Sequence, residues 1–306
     1  MPTSSKKGSK WARFNRVMVP YYFLIPAAVI LLCFAAYPVL NVFYFSTRHY
    51  NPNKPWIEGF AGLQNYVQIL TSDKLFRSSL LISVRWCFIQ VTLQCIFGMI
   101  FALVLNAKFR GRGIVRALIF APWALSGVMV SILWQLIYHQ NIGVLSDLMV
   151  RLGLIQSPIA WVANPKYAFG SVVVAELWRG IPFFAISLLA AMQNIPGELY
   201  ESCDIDGGGL LAKFRFIVLP FLKDTIVLTT LLRFVWEFNA VDLIRTLTGG
   251  GPMNLTTTLS LYLADTAIKT QNFGYGSAIG TITFFLMLGL AITYIKVSGY
   301  GKGQDQ

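Results

Sequence analysis

Six apolar runs, at about residues 19–45, 79–106, 115–138, 167–192, 221–241 and 275–296, set the limits on what this chain can fold into. About 20 residues of α-helix, each rising about 1.5 Å, cross roughly 30 Å of hydrocarbon. Every run is long enough, so the sequence predicts an all-α, polytopic membrane protein with six transmembrane helices. Composition agrees: of 306 residues, 56% are hydrophobic and 12% charged, which excludes an ordinary soluble domain. The first run follows a basic start but exceeds the length of a signal-peptide core, so it reads as a retained anchor.

Residues 1–18 read as a cytoplasmic N-terminal tail, 19–296 as one six-helix transmembrane domain, and 297–306 as a cytoplasmic C-terminal tail. Lysine and arginine orient it, because cytoplasmic segments carry the excess. Lys6, Lys7, Lys10, Arg13 and Arg16 precede the first run, and Lys108, Arg110, Arg112 and Arg116 mark a short turn after the second. The bias places both termini and the polar loop 193–220 in the cytoplasm. The net charge of +12 has this topological cause. No basic run interleaved with aromatics forms a nucleic-acid groove. Cys33, Cys87 and Cys95 lie in apolar runs and Cys203 in the 193–220 loop, without disulfide or metal spacing. His49 and His139 stand alone in predicted outer loops, so no metal site is expected.

The most strongly patterned polar segment is Ile195–Pro220, IPGELYESCDIDGGGLLAKFRFIVLP. Pro196 suits a first helical turn, and Glu198 and Glu201 follow where acidic groups meet the positive helix end. Glu198, Glu201 and Asp204 share one side; Leu199 and Cys203 take the other. Gly207, Gly208 and Gly209 stop the helix, since glycine accepts left-handed geometry. A second short helix is predicted, with Leu210, Phe214 and Ile217 as an apolar stripe.

These residues resemble the EAA loop of binding-protein-dependent ABC importer permeases: an E-A-A triplet, a D-G pair, then I-x-L-P. Here they are Glu201-Ser202-Cys203, Asp206-Gly207 and Ile217-Val218-Leu219-Pro220. Ser202 and Cys203 replace the two alanines, and Gly208 stands where the family usually has alanine. Phe60–Tyr66, Leu247–Pro252 and Phe273–Ala278 resemble stretches of the carbohydrate uptake branch, and Tyr37-Pro38 fits its MalF-type member. The resemblance covers about residues 20–296. It implies an ABC importer permease with a MalF-like core in a bacterial or archaeal cytoplasmic membrane. It also implies a second, MalG-like permease, an ATPase dimer and an extracytoplasmic solute-binding protein as partners. Glu198, Glu201, Ser202, Cys203, Asp206, Gly207, Leu219 and Pro220 are then the residues that couple to the ATPase.

Charges inside apolar runs are rare and mark a pair or a pathway. Glu176 and Arg179 are three apart, and Arg233 and Glu237 four apart. Two self-paired intrahelical bridges are one reading. A polar lining of a translocation path is the other, and the resemblance implies it. The matching positions are Glu176, Arg179, Gly180 and Phe183, then Arg233, Trp236, Glu237 and Ala240. Trp178, Trp236 and Phe183 offer aromatic faces of the kind sugars stack on.

No phosphate loop G-x-x-x-x-G-K-[ST] occurs, and no nucleophile–base constellation is visible. The chain is expected to be a transporter subunit rather than an enzyme, with no cofactor of its own and with ATP and Mg on the partner ATPase. The expected mechanism is alternating access. An anionic solute such as a glycerol phosphate or acidic sugar is the alternative cargo. An ATP-independent secondary transporter is a weaker rival, since no inverted repeat is evident.

Overall fold

The computed structural model describes residues 8–107 and 109–299. Lys6 and Lys7 of the N-terminal tail, Lys108 of the turn after the second run, and Lys302 with residues 300–306 lie outside the described residues.

Helix α1 (Gly8–Leu31) begins well inside the segment read as a tail. It stays helical through Pro26, widens into a π-helical turn at Leu32–Ala36 and continues as α2 (Tyr37–Ser46). The wide turn ends just before Pro38, whose missing N–H breaks the regular ladder. None of the most apolar window of Tyr21–Ser46 is buried within the chain. Its packing is through α2, where Phe43 meets Phe284 at 5.7 Å between ring centroids.

A small antiparallel ribbon, β1 (Arg48–His49) with β2 (Gly59–Phe60), is the only strand pairing among the described residues. Asn51 starts its turn by accepting from Asn53 N at 3.0 Å. The Phe60–Tyr66 motif then folds back on α2. Gly62 takes φ +56. Asn65, at the start of α3 (Gln64–Thr71), donates to the carbonyls of Ser46 and Arg48, each at 3.0 Å.

Asp73 caps α4 (Lys74–Asn106) by accepting from Phe76 N at 2.9 Å. The run 115–138 is not one straight span. α5 (Arg112–Phe120) and α6 (Gly127–Ile137) form a pair bent by 103°. Pro122 sits in the 3-10 turn Ala121–Ala124, Leu125 is extended, and Ser126 restarts the helix by accepting from Met129 N. The bend follows from proline chemistry and a fresh N-cap. The short α7 (Val144–Arg151) leads to α8 (Ala168–Met192). Next come α9 (Gly197–Ile205), α10 (Leu210–Lys213), a π turn at Phe214–Val218 and α11 (Leu219–Phe238). α12 (Asp242–Leu247), α13 (Leu259–Ile268) and α14 (Phe273–Ser298) complete the chain.

Among the described residues, four helices are long and apolar enough to cross a membrane: Tyr21–Ser46, Lys74–Asn106, Ala168–Met192 and Phe273–Ser298. The bent pair makes a fifth if counted as one span. α11 is absent from that set; it carries Lys223, Asp224, Arg233 and Glu237 in 20 residues.

Two buried clusters hold the bundle. One, including Leu105, Phe184, Leu188 and Leu222, sits beside the Gly197–Val218 segment. The other, including Trp86, Phe238, Leu259 and Ile279, fills the opposite end. α4 and α8 approach closely because Gly98 has no side chain. A Cβ there would meet Phe184 Cβ and lie 3.1 Å from the backbone N of Ala185. Gly98→Val is therefore expected to force the two helices apart, at about 1–3 kcal/mol for an overpacked core. Thermal denaturation of the purified protein should fall by several degrees, while Gly113→Ala, whose Cβ meets nothing within 4 Å, leaves it unchanged. Equal midpoints for Gly98→Val and wild type would refute this packing.

Candidate functional site: a buried charge network and an exposed loop

α8 carries Glu176 and Arg179 three apart, and α11 carries Arg233 and Glu237 four apart, each pair on one helix face. Where the two helices meet α4, all four charges join. Arg179 grips Glu176 with two bonds, Nε to Oε2 at 2.9 Å and Nη2 to Oε1 at 2.8 Å. Arg233 Nη2 bridges the helices, 2.8 Å from Glu176 Oε1 and 2.7 Å from Glu237 Oε1. The intrahelical pairs of the first reading exist, and a third bridge ties them together.

α4 completes the network. Gln94 Oε1 accepts from Arg233 Nε at 2.6 Å, and its amide donates to Glu237 Oε1 and to Gln90 Oε1, each at 2.9 Å. Trp86 Nε1 donates to Glu237 Oε2 at 3.0 Å. Gln90 donates to the Val173 carbonyl at 3.0 Å. Two acids and two bases sum to zero charge, and every carboxylate oxygen is bonded, which is the condition under which buried charges are tolerated. Sequence reasoning missed Trp86, Gln90 and Gln94. The signal was present: polar groups at 86, 90 and 94 recur at helical spacing inside an apolar run.

Three of the four charges are sealed within the chain. Glu176, Arg233 and Glu237 are buried, and only the Arg179 side chain keeps 20% exposure. Gly180 is buried at the centre, where a Cβ would meet Gln94 and Arg233. Phe183 packs on Trp236 at 5.0 Å between centroids, and Trp236 stays 47% exposed beside the network. Ala240 is half-buried just past the end of α11, its N–H on the Glu237 carbonyl. Trp178 stands apart from this aromatic pair. It faces Trp134 at 6.2 Å and lines an apolar groove with Leu118, Ile119 and Pro122.

The second candidate is the segment between α8 and α11. α9 begins after Pro196, with Glu198, Glu201 and Ser202 exposed and Cys203 half-buried. Asp206 ends the helix and Gly207 takes φ +75, the left-handed turn expected of it. Lys213 reaches back to form an ion pair with Asp204, closing the two short helices on each other. The expected apolar stripe is only half realised. Ile217 is buried and Phe214 half-buried, but Leu210 is 87% exposed. The π turn at Phe214–Val218 shifts the helical phase, and Leu210, like Ile205 and Leu211, is left exposed. Leu219 and Pro220 are exposed at the start of α11.

The two departures from the loop pattern, Cys203 and Gly208, touch each other. A Cβ on Gly208 would run into Cys203 Sγ. It would also lie 2.9 Å from the Cys203 carbonyl oxygen, so both the side chain and the backbone of residue 203 call for glycine at 208.

The family profile described as "Binding-protein-dependent transport system inner membrane component" matches residues 94–297. The trehalose/maltose transport system permease protein MalF of Thermococcus litoralis is 35% identical over 95% of this chain and 97% of its own length. The sulfoquinovosyl glycerol transport system permease protein SmoG of Agrobacterium fabrum is 29% identical over 94% of this chain and 93% of its own. Among solved structures, a chain of a bacterial alginate ABC transporter, in complex with an alginate pentasaccharide-bound periplasmic protein, superposes with TM-score 0.82. It is 19% identical, and the match covers 94% of this chain and 96% of that one.

Proposed function

The chain belongs to the family of binding-protein-dependent transport system inner membrane components, the permeases of ABC importers, and from that membership we propose that it is the MalF-type permease subunit of an ATP-driven sugar importer. The similarity to a trehalose/maltose permease over nearly the full length of both chains is the observation that carries this reading. The network favours a neutral cargo over an anionic one, since Arg179 is neutralised by Glu176 at 2.8 Å and Arg233 by Glu237 at 2.7 Å.

In this reading the chain spans the membrane six times with both termini inside. α11 is the span that its charges make hard to see from hydropathy. Its 20 residues reach roughly 30 Å. Two of its charges, Arg233 and Glu237, are paired inside the bundle rather than offered to lipid. Residues 193–220 then face the cytoplasm, and Glu198, Glu201, Ser202, Cys203, Asp206, Gly207, Leu219 and Pro220 meet the ATPase. A second permease completes the pathway, a solute-binding protein delivers cargo from outside, and ATP with Mg binds to the ATPase. Trp236 and Phe183 form the aromatic wall for the solute, with Gly180, Ala240 and Arg179 around it. Glu176, Arg233 and Glu237 set the polarity behind that wall.

The test is reconstitution with the second permease, ATPase and binding protein in liposomes. ATP-dependent uptake of trehalose or maltose is expected, and not of glycerol 3-phosphate. Trp236→Ala should lose uptake or change solute preference with the complex still assembled. Uptake that needs no ATPase, or uptake of the anion alone, overturns the reading.

A further inference from the structure

A second polar site lies at the end of the bundle away from the Gly197–Val218 segment. α3, the start of α4, α13 and the start of α14 enclose a cavity of ≈ 550 Å³, within the range of about 300–1,000 Å³ that small-molecule sites occupy. Its floor is the carboxylate of Asp73. Tyr262 and Tyr275 donate their hydroxyls to Asp73 Oδ2 at 2.6 and 2.7 Å, and Phe76 N donates to Oδ1. Burial works against the charge, but these donors outweigh it and hold the carboxyl below its ordinary range. Asp73 is therefore ionised. Among the described residues, no lysine or arginine lines the cavity.

The wall is built for hydrogen bonding. Asn65 is 3% exposed and spends both amide hydrogens on Ser46 and Arg48 carbonyls, which leaves its Oδ1 an unused acceptor among the described residues. Tyr262 and Tyr275, having donated to Asp73, keep their oxygen lone pairs as acceptors. Gln68 makes no side-chain bond among the described residues and is exposed in the wall. Tyr50, Tyr262 and Tyr275 add aromatic surface. A ring of neutral donors and acceptors with aromatic faces matches a polyhydroxylated molecule. The single fixed negative charge disfavours anions.

The cavity is distinct from the buried network. Asp73 precedes Trp86 by about 20 Å of helix. Between them Ser79 and Ser83 are buried on α4, the Ser79 hydroxyl without a partner among the described residues and Ser83 accepting from Leu259 N at 2.7 Å. A polar line thus descends α4 from the cavity to Trp86, Gln90 and Gln94.

We propose that this cavity is an outward-side holding site for a neutral polyhydroxylated solute, a sugar of one or a few rings, occupied before the solute reaches the aromatic wall at Trp236. The proposal rests on the reading that the chain imports sugars. The test uses the assembled complex in liposomes, without binding protein or ATP. Gln68→Cys is labelled from outside with a membrane-impermeant thiol reagent, with trehalose, maltose or glucose 6-phosphate present at equal concentration. The neutral disaccharides should slow labelling several-fold and the phosphate should not. Gln68→Trp, which fills the cavity, should require several-fold more sugar for half-maximal uptake in the complete system while ATPase activity without solute stays at wild-type level. Uptake intact with labelling unprotected overturns the holding site and leaves the importer reading standing. Equal protection by all three compounds also overturns it. Protection by the disaccharides without any uptake supports the site and overturns the importer reading instead.

Discussion

Arg233→Met is expected to leave the membrane complex largely unassembled. Arg233 is 4% exposed and holds Glu176, Glu237 and Gln94 together. Its loss leaves Glu237 with only Trp86 and Gln94 as donors and no cation of its own, while Arg179 still neutralises Glu176. Stranding one buried charge costs about 3–5 kcal/mol, a loss of roughly a hundredfold or more in the equilibrium. Methionine keeps the volume, so the effect is charge rather than cavity. The double variant Arg233→Met/Glu237→Gln removes one charge of each sign and leaves the Glu176–Arg179 pair. The glutamine amide that replaces the Glu237 carboxylate still offers an oxygen to Trp86 or Gln94. Size-exclusion yield of the complex should therefore recover toward wild type in the double variant, and the double-mutant cycle should give a coupling of more than about 1 kcal/mol. Additive losses would refute the charge-balance account. The recovered double variant also separates structure from transport. Wild-type uptake by it would mean that Arg233 and Glu237 serve only to hold α4, α8 and α11 in register. Lost uptake from an assembled complex would mean that they act on the solute.

The sequence made much of this legible, for identifiable reasons. Apolar runs delimit α4, α8 and α14 closely, because a helix in hydrocarbon must be apolar for its whole length. The bend in the run 115–138 was hidden because hydropathy is blind to direction: Pro122 and the Ser126 cap turn the chain by 103° inside an unbroken apolar stretch. The pairs Glu176–Arg179 and Arg233–Glu237 follow from spacing on one helix. The bridge from Arg233 to Glu176 and the part played by Gln94 depend on which faces of three helices meet, and single-helix periodicity carries no such information. His49 shows the same limit. It is isolated in sequence, yet the fold sets it in the wall of the Asp73 cavity beside residues more than two hundred positions away. The turn at Gly207 was readable, because a glycine after a helix has a local reason to be there. The outward rotation of Leu210 was not, because it depends on a π turn with no sequence mark of its own.

Loss of coupling with the permease fully inserted is the expected outcome of Leu210→Asp. Ile205, Leu210 and Leu211 are 87, 87 and 77% exposed, and Lys213 fastens α10 to Asp204 of α9, which keeps these apolar side chains close in the chain at one exposed turn. In the proposed assembly that turn is what the ATPase covers, as an amphipathic helix lies in a groove. An aspartate at its centre would be desolvated there without a partner, so uptake should fall more than about tenfold, the equivalent of 1.4 kcal/mol, and ATPase should co-purify poorly. Gly207→Val attacks the same surface by another route. A Cβ at Gly207 meets nothing within 4 Å, so the substitution acts through its φ of +75 alone, at about 1–2 kcal/mol for an L-residue held in that region. It should retain the ATPase but uncouple hydrolysis from uptake. Gly208 gives an internal control. Gly208→Ala alone pushes against both Cys203 Sγ and the Cys203 carbonyl oxygen, 2.9 Å away, and should weaken coupling, whereas Cys203→Ala/Gly208→Ala relieves only the sulfur contact and should restore it in part. Proteoliposome uptake and ATPase rates, measured on all four variants at matched permease levels, decide the matter. If Leu210→Asp keeps both the bound ATPase and wild-type uptake, the exposed turn is not the coupling surface.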